Sequence, residues 1–285
     1  MYKFSLFLLM LLFVNSALAE RFKDTIHSID LGTTPEEDHI LKLESGRVAF
    51  ISPDDFHYEK NAQALIGEYV EIEVDDQLTV LSLTSLPREE IPQRETETET
   101  EIKFPTEKMT PTVIRDWNTA MRIWNGMNRS YKQVSECSDR AHVWAYEEWR
   151  KHNLYSMKAF LFFTNTYIRA YRYNWWFHVS PYALVHEYGR DVEHVFDRRY
   201  ASIPRHFKEW TDIFIRSRKA CPVTTYRHYR NNRNGPEHCF VVKSTMYYRL
   251  PLHVRNLEDS GIVKTQFSTS EVNFSYRAFT RRGVQ

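Results

Sequence analysis

The chain has 285 residues, among them 17 Tyr, 18 Phe and 7 Trp. This aromatic content excludes intrinsic disorder for most of the chain, because disordered proteins lack the apolar side chains that build a core. The 38 basic and 37 acidic residues give a net charge of +1, so composition gives no reason to expect nucleic acid or an anionic membrane as a partner.

Residues 1–19 have the pattern of a secretory signal peptide. Lys3 supplies the positive charge, Phe4–Val14 the apolar run, and Ala17-Leu-Ala19 a small-residue cleavage site. The apolar run is shorter than the roughly 20 residues that a membrane-spanning helix needs. We therefore expect a secreted or periplasmic protein that keeps no membrane anchor after the signal is removed.

Residues 20–86 are predicted to form a small β-rich module. Ile40–Leu43 and Arg47–Ile51 flank Glu44-Ser-Gly46, which is typical of a hairpin. Val70–Val74 alternates apolar and acidic residues with period two, and Leu78–Leu83 is a further short apolar run. A five-stranded, barrel-like module is expected, without site chemistry of its own. Its role could be inhibitory, targeting or structural.

Residues 87–110 are predicted to be a linker. Pro87, Pro92 and Pro105 interrupt any regular element, and residues 95–101 alternate Glu and Thr. Such a tract has nothing to bury, so its carboxylates are expected to form an extended, self-repelling spacer and not a metal site.

Residues 111–285 are predicted to form an α+β domain. The expected elements in chain order are a helix over 113–127, a helix from Ser135 or Cys137 to about His152, a helix near Ala159, a hairpin of Trp175–Leu184 and Asp191–Phe196, a helix over Arg205–Arg218, and a strand over Cys239–Tyr248.

The chain has three cysteines, which is an odd number for an exported protein. Cys221 and Cys239 enclose a polar, loop-like segment that a disulfide would stabilise by roughly 3 kcal/mol. Cys137 then remains unpaired. It could be an inert buried thiol, form an intermolecular bridge, or act as a nucleophile.

The catalytic interpretation rests on three residue types. A cysteine nucleophile needs a base, and the base needs a third group to orient it. Cys137 falls at a predicted helix N-terminus, where the helix dipole favours a thiolate and free backbone N–H groups can bind an oxyanion. His178 and Asp197 lie on opposite arms of the predicted hairpin, where they can form a hydrogen bond.

Two other histidines, His186 and His194, compete for the role of base. His194 is three residues from Asp197, which places the two on opposite faces of one strand and makes His194 the weaker partner. The twelve histidines lack the paired spacing of a zinc-binding helix, and no glycine-rich phosphate loop occurs. We expect neither a metal nor a cofactor.

Three segments of the chain together resemble the bacterial protein-glutaminase family. They are Cys137-Ser-Asp-Arg-Ala-His142, His178 before Pro181, and Val195-Phe-Asp197. The resemblance covers about residues 111–255. It implies a transglutaminase- or papain-like core with Cys137 as nucleophile, His178 as base and Asp197 as orienting acid, acting on glutamine side chains of protein or peptide substrates. Arg140 and His142 belong to the same signature, but we expect them to pack or hydrogen-bond.

The sequence leaves alternatives open. A transglutaminase or a cysteine peptidase would use the same triad, since the acyl acceptor and the attacked amide depend on groove shape and water access. A non-catalytic secreted or envelope binding protein could also retain the fold.

Overall fold

The computed structural model describes residues 19–87, 110–128, 136–261 and 263–280. Within them the strands are β1 (Glu20–Asp30), β2 (His39–Leu43), β3 (Val48–Ile51), β4 (Tyr69–Val74), β5 (Val80–Ser85), β6 (Val113–Ile114), β7 (Met157–Phe163), β8 (Phe177–Glu187), β9 (Arg190–Val195), β10 (Arg205–His206), β11 (Val223–Thr224) and β12 (Cys239–Thr245). The helices are α1 (Phe56–Ala64), α2 (Trp117–Gly126), α3 (Cys137–His152), α4 (Asn165–Tyr171), α5 (Phe207–Phe214), α6 (Tyr226–Asn232), α7 (Pro251–Ser260) and α8 (Thr269–Thr280).

This mixture of helices and strands confirms the α+β class. The predicted signal peptide, apart from Ala19, and almost all of the predicted linker lie outside the described residues. None of the helices in the described ranges is long and apolar enough to cross a membrane.

The first sheet is built from the N-terminal module in the order β3-β2-β1-β4-β5. The predicted hairpin is confirmed, since β2 and β3 pair around Gly46, whose φ of +99° favours glycine. The alternation in β4 is also as predicted, with Val70, Ile72 and Val74 buried. A bridge between Phe50 and Thr79 links the two edges of the sheet, in agreement with a barrel-like shape. The sequence pattern does not predict α1.

The second sheet has the order β10-β9-β8-β7-β12-β11, and β6 pairs with β8 outside this path. Its β8–β9 hairpin is confirmed and turns at Tyr188 and Gly189, both with positive φ as a tight hairpin turn requires. The predicted strand after Cys239 is also present as β12. Helix α3 packs against β8 and α8.

Three predicted elements differ from the structure. The first helix begins at Trp117 because the Asp116 side chain accepts a hydrogen bond from the Thr119 N–H at 2.6 Å, and the residues before it form β6. The helix expected near Ala159 is wrong, since this segment is β7, a central strand with six consecutive buried residues. A short apolar run fits a buried helix and a buried strand equally well. The helix expected over 205–218 is shorter, because Arg205–His206 pairs with β9.

The N-terminal module docks on the start of β8 through main-chain and side-chain hydrogen bonds. The Trp176 N–H donates to the Gly46 carbonyl at 2.8 Å, and its indole N–H donates to the Leu43 carbonyl at 2.7 Å. His27 stacks on the same indole with ring centroids 4.6 Å apart. The module thus holds Trp176, two residues before His178.

A buried ion-pair network also joins the module to helix α4 and to the C-terminal end of helix α6. Lys42 Nζ lies 2.7 Å from Asp30 Oδ2, and Arg233 Nε lies 3.1 Å from Asp30 Oδ1. Asn165 donates to the same carboxylate, and Lys42 also donates to the Tyr229 hydroxyl. Because Lys42 and Asp30 are almost fully buried, separating them leaves charges without partners.

The predicted disulfide between Cys221 and Cys239 is confirmed, with Cα atoms 5.0 Å apart. It joins the first residue of β12 to the segment before β11, and these two strands pair in parallel. Cys137 has a free thiol, as predicted.

Candidate active site

Cys137 is the first residue of α3 and is only 2% exposed. Glu136 is the N-cap residue and makes no capping hydrogen bond through its side chain, while Ser135 lies outside the described residues. Because α3 packs on β8, the cysteine sulfur receives a hydrogen bond from the backbone N–H of Val179, the neighbour of His178. The helix therefore brings the thiol to the strand that carries the imidazole.

The electrostatics of the thiol differ from the sequence-based expectation. Burial raises the pKa of Cys137 to about 12, and the Arg140 charge and the Val179 N–H only partly oppose this effect. The helix N-terminus by itself would favour the thiolate, but desolvation of a sulfur with almost no contact with water is the larger effect. In this conformation Cys137 is a protonated thiol.

His178 and Asp197 are brought together as the hairpin predicts. His178 Nε2 lies 2.6 Å from Asp197 Oδ2, and both residues are buried. Burial alone would raise the pKa of Asp197, but the charge and hydrogen bond of His178, the Trp210 hydrogen bond and the Arg140 charge keep it below its ordinary value. An ionised carboxylate only accepts hydrogen bonds, so His178 Nε2 carries the proton of this bond, and Nδ1 of the neutral ring is able to accept a proton.

Trp210 is a further member of the candidate site and lies in the helix that the sequence predicts over Arg205–Arg218. Its indole N–H donates to Asp197 Oδ2 at 2.9 Å, beside the His178 bond. Aromatic rings of Phe214, Tyr200 and Trp210 surround the imidazole, with centroid distances of 4.4, 5.1 and 5.8 Å. The one signal in the sequence is the position of Trp210 in the helix that follows Asp197.

Two further residues of the Cys137 signature attach α3 to the C-terminal part of the chain and to β7. Asp139 accepts hydrogen bonds from Arg249 and Ser275, both at 2.9 Å, and His142 Nδ1 lies 2.9 Å from Lys158 Nζ. These contacts fit the packing and hydrogen-bonding role expected for His142. Arg140 does more than expected, since its charge lowers the pKa of both Cys137 and Asp197.

The two competing histidines pair with other acids. His194 Nε2 lies 3.1 Å from Glu187 Oε1, and His186 Nδ1 lies 2.8 Å from Asp191 Oδ1. The carboxylate at position 197 is thus bound by His178.

A sequence profile of the family described as glutaminase matches residues 113–214. The matched segment contains Cys137, His178, Asp197 and Trp210. The resemblance to the protein-glutaminase family is confirmed over this segment. A search of curated proteins finds no match.

Solved protein-glutaminase structures have a similar fold. A crystal structure of a mutant of pro-protein-glutaminase has a TM-score of 0.50 and 16% identity, covering 81% of this chain and 85% of that one. A second pro-protein-glutaminase crystal structure has a TM-score of 0.49 and 15% identity, covering 81% and 84%. The NMR structure of protein-glutaminase from Chryseobacterium proteolyticum has a TM-score of 0.40 and 14% identity, covering 61% and 90%. At these identities the likeness concerns the fold alone.

Proposed function

We propose that this chain is a secreted cysteine amidohydrolase that deamidates the side chains of protein-bound glutamine to glutamate. The observation that carries the proposal is the buried pair of His178 and Asp197, 2.6 Å apart. His178 lies on β8, the strand that neighbours Cys137, Asp197 follows the end of β9, and both lie inside the segment that matches the glutaminase family. The substrate class comes from the matched protein-glutaminases, whose fold extends over most of this chain.

In the proposed reaction, His178 Nδ1 takes the thiol proton and the Cys137 sulfur attacks the side-chain amide carbon of glutamine. Backbone N–H groups at the start of α3, among them that of Cys137, hold the oxyanion of the tetrahedral intermediate. The His178 imidazolium returns its proton to the amide nitrogen, so ammonia leaves and a thioester forms. Water, deprotonated by neutral His178, then attacks the thioester and releases glutamate and the thiol.

We also assign the described conformation to an inactive precursor. A thiol that is 2% exposed, with a pKa of about 12, cannot meet a protein substrate. The match to pro-protein-glutaminase covers 81% of the chain, whereas residues 111–285 make up 175 of 285 residues, so the match extends into the N-terminal module. The module contacts Trp176, two residues before His178, and would hold the start of β8 in the position in which Cys137 is buried.

The test of the function uses a glutamine-rich protein as substrate and the chain after proteolysis in residues 87–110 and removal of the N-terminal module. Ammonia release without crosslinks or chain cleavage is the expected result, and Cys137→Ala should abolish it. Crosslinked products would indicate a transglutaminase, and cleaved main chain a peptidase. A wild-type protein that does none of these, yet exposes a normal thiol after cleavage, would identify a binding protein that retains the fold.

A further inference from the structure

Three side chains of the types that bind transition metals meet at the end of the second sheet. They are Glu187 at the end of β8, His194 in β9 and His206 in β10. Glu187 Oε1 lies 3.1 Å from His194 Nε2 and 3.7 Å from His206 Nε2, and all three ligand atoms lie within 4.8 Å of one another.

The pairing of the strands explains why the histidines converge. His194 and His206 are directly opposite each other in the antiparallel β9–β10 pair, and their ring centroids are 4.3 Å apart. The three residues come from three strands, so their spacing along the chain matches no zinc-binding motif. For this reason no metal is expected from the sequence.

We infer that Glu187, His194 and His206 form a binding site for a divalent transition-metal ion, with Zn²⁺ as the expected occupant. Two imidazoles and one carboxylate are a ligand set for Zn²⁺, whereas Mg²⁺ and Ca²⁺ prefer oxygen ligands throughout. Zinc bonds of about 2.0–2.1 Å place tetrahedral ligand atoms about 3.3 Å apart, close to the two distances from Glu187 Oε1.

The accessibility of the three residues fits a site that is open on one side. The His194 side chain is 3% exposed, Glu187 is 17% exposed and His206 is 44% exposed. The ring of His206 can therefore move the short distance that closes the triangle, and water can complete the coordination. Buried His194 would fix the ion on the sheet.

The place of the site in the fold indicates a structural ion. Strand β9 ends two residues before Asp197, and β10 leads directly into α5, which carries Trp210. An ion shared by β8, β9 and β10 would fix both partners of the hydrogen bonds at Asp197 Oδ2. The binding itself does not depend on the proposed enzymatic function.

The experiment measures metal binding by the full chain without a histidine tag, stripped with EDTA, in the Cys137→Ala background so that the thiol cannot bind the ion. Zn²⁺ binding is followed by calorimetry and Co²⁺ by its visible spectrum. The test variants are Glu187→Gln and His206→Ala, which change residues that are not fully buried. The control is His186→Ala, an exposed histidine on the same hairpin that pairs with Asp191.

We expect one Zn²⁺ per chain with a Kd below about 10 µM, a tetrahedral Co²⁺ spectrum, and a Tm that rises with Zn²⁺. Glu187→Gln and His206→Ala should weaken binding at least about 10-fold, and His186→Ala should leave it unchanged. Equal binding by all variants would show an adventitious ion only. That result, or the absence of binding by a folded parent chain, overturns the inference.

Discussion

The substitution Asp197→Asn removes the negative charge of the proposed third catalytic group but keeps the shape of its side chain. Asp197 Oδ2 accepts two hydrogen bonds, from His178 Nε2 and from the Trp210 indole. An indole N–H can only donate a hydrogen bond. In this variant the amide oxygen of the new Asn side chain therefore takes the place of Asp197 Oδ2, where it accepts from Trp210, and the amide nitrogen points away from the His178 ring. His178 then keeps its proton on Nε2, and Nδ1 stays available as the base.

The expected loss in rate is therefore small. It corresponds to the free-energy difference between a hydrogen bond to a charged carboxylate and one to a neutral amide. Hydrogen bonds to charged groups contribute about 1.5–3 kcal/mol and neutral ones about 0.5–1.5 kcal/mol. The difference of roughly 1–1.5 kcal/mol corresponds to about a 5- to 13-fold loss in kcat/KM. Adding Trp210→Phe removes the donor that selects the amide oxygen. The amide can then turn its nitrogen to the ring and favour the wrong tautomer, and we expect a loss of about 10³- to 10⁴-fold.

The assay is ammonia release by the cleaved chain from which the N-terminal module has been removed, with folding of each variant checked by its Tm. Trp210→Phe alone should lose only a few-fold, so the double variant should be far worse than the product of the single effects. Trp124→Phe is the matched control, because Trp124 is also fully buried but its indole nitrogen has no hydrogen-bond partner among the described residues. A loss near 10⁴-fold in Asp197→Asn alone, or simple multiplication of the single effects, would refute the role of Trp210.

Three further predictions concern the buried thiol of Cys137 and the docked N-terminal module. At pH 8 a thiol with a pKa of about 12 is ionised in about one molecule in 10,000. Alkylation of Cys137 in the intact chain should therefore be slow, and its rate should keep rising with pH well beyond pH 9. Fast alkylation with a rate that levels off near pH 8 would contradict the buried state of the thiol. Cleavage within residues 87–110 followed by removal of the module should increase both alkylation and ammonia release, and an unchanged thiol would show that the module does not close the site. Lys42→Met should destabilise docking of the module by about 1.5–3 kcal/mol, because Asp30 loses its buried ammonium partner and keeps Arg233 and Asn165. Denaturation measures the effect against the exposed control Lys60→Met, and equal midpoints would show that the Lys42–Asp30 pair contributes nothing.

Some features of this fold follow from local sequence and others do not. The hairpins at Gly46 and Gly189 are encoded by their turn residues, and the pairing of His178 with Asp197 follows from the hairpin that carries them. Strand β7 could not be recognised, since its apolar run has the same pattern in a helix, and its state is decided by its neighbours β8 and β12.

The burial of Cys137 and the contacts of Trp210 could also not be predicted from the local sequence. The position of Cys137 at the start of a helix is readable from the sequence, but the burial that raises its pKa depends on packing against distant segments. The same holds for Trp210 at Asp197, and for Glu187, His194 and His206, which three separate strands bring together.

The docking of the N-terminal module on Trp176 also determines what happens after the chain is cut. Its hydrogen bonds and the Lys42–Asp30 pair do not depend on the peptide bonds of the linker. A cut between residues 87 and 110 therefore leaves the two pieces associated, and only the effective concentration provided by the tether is lost. Release of the module then follows mass action. Dilution of the sample or digestion of the freed module removes it, whereas in a concentrated sample the module stays bound. Activity after cleavage should accordingly depend on protein concentration and appear with a delay.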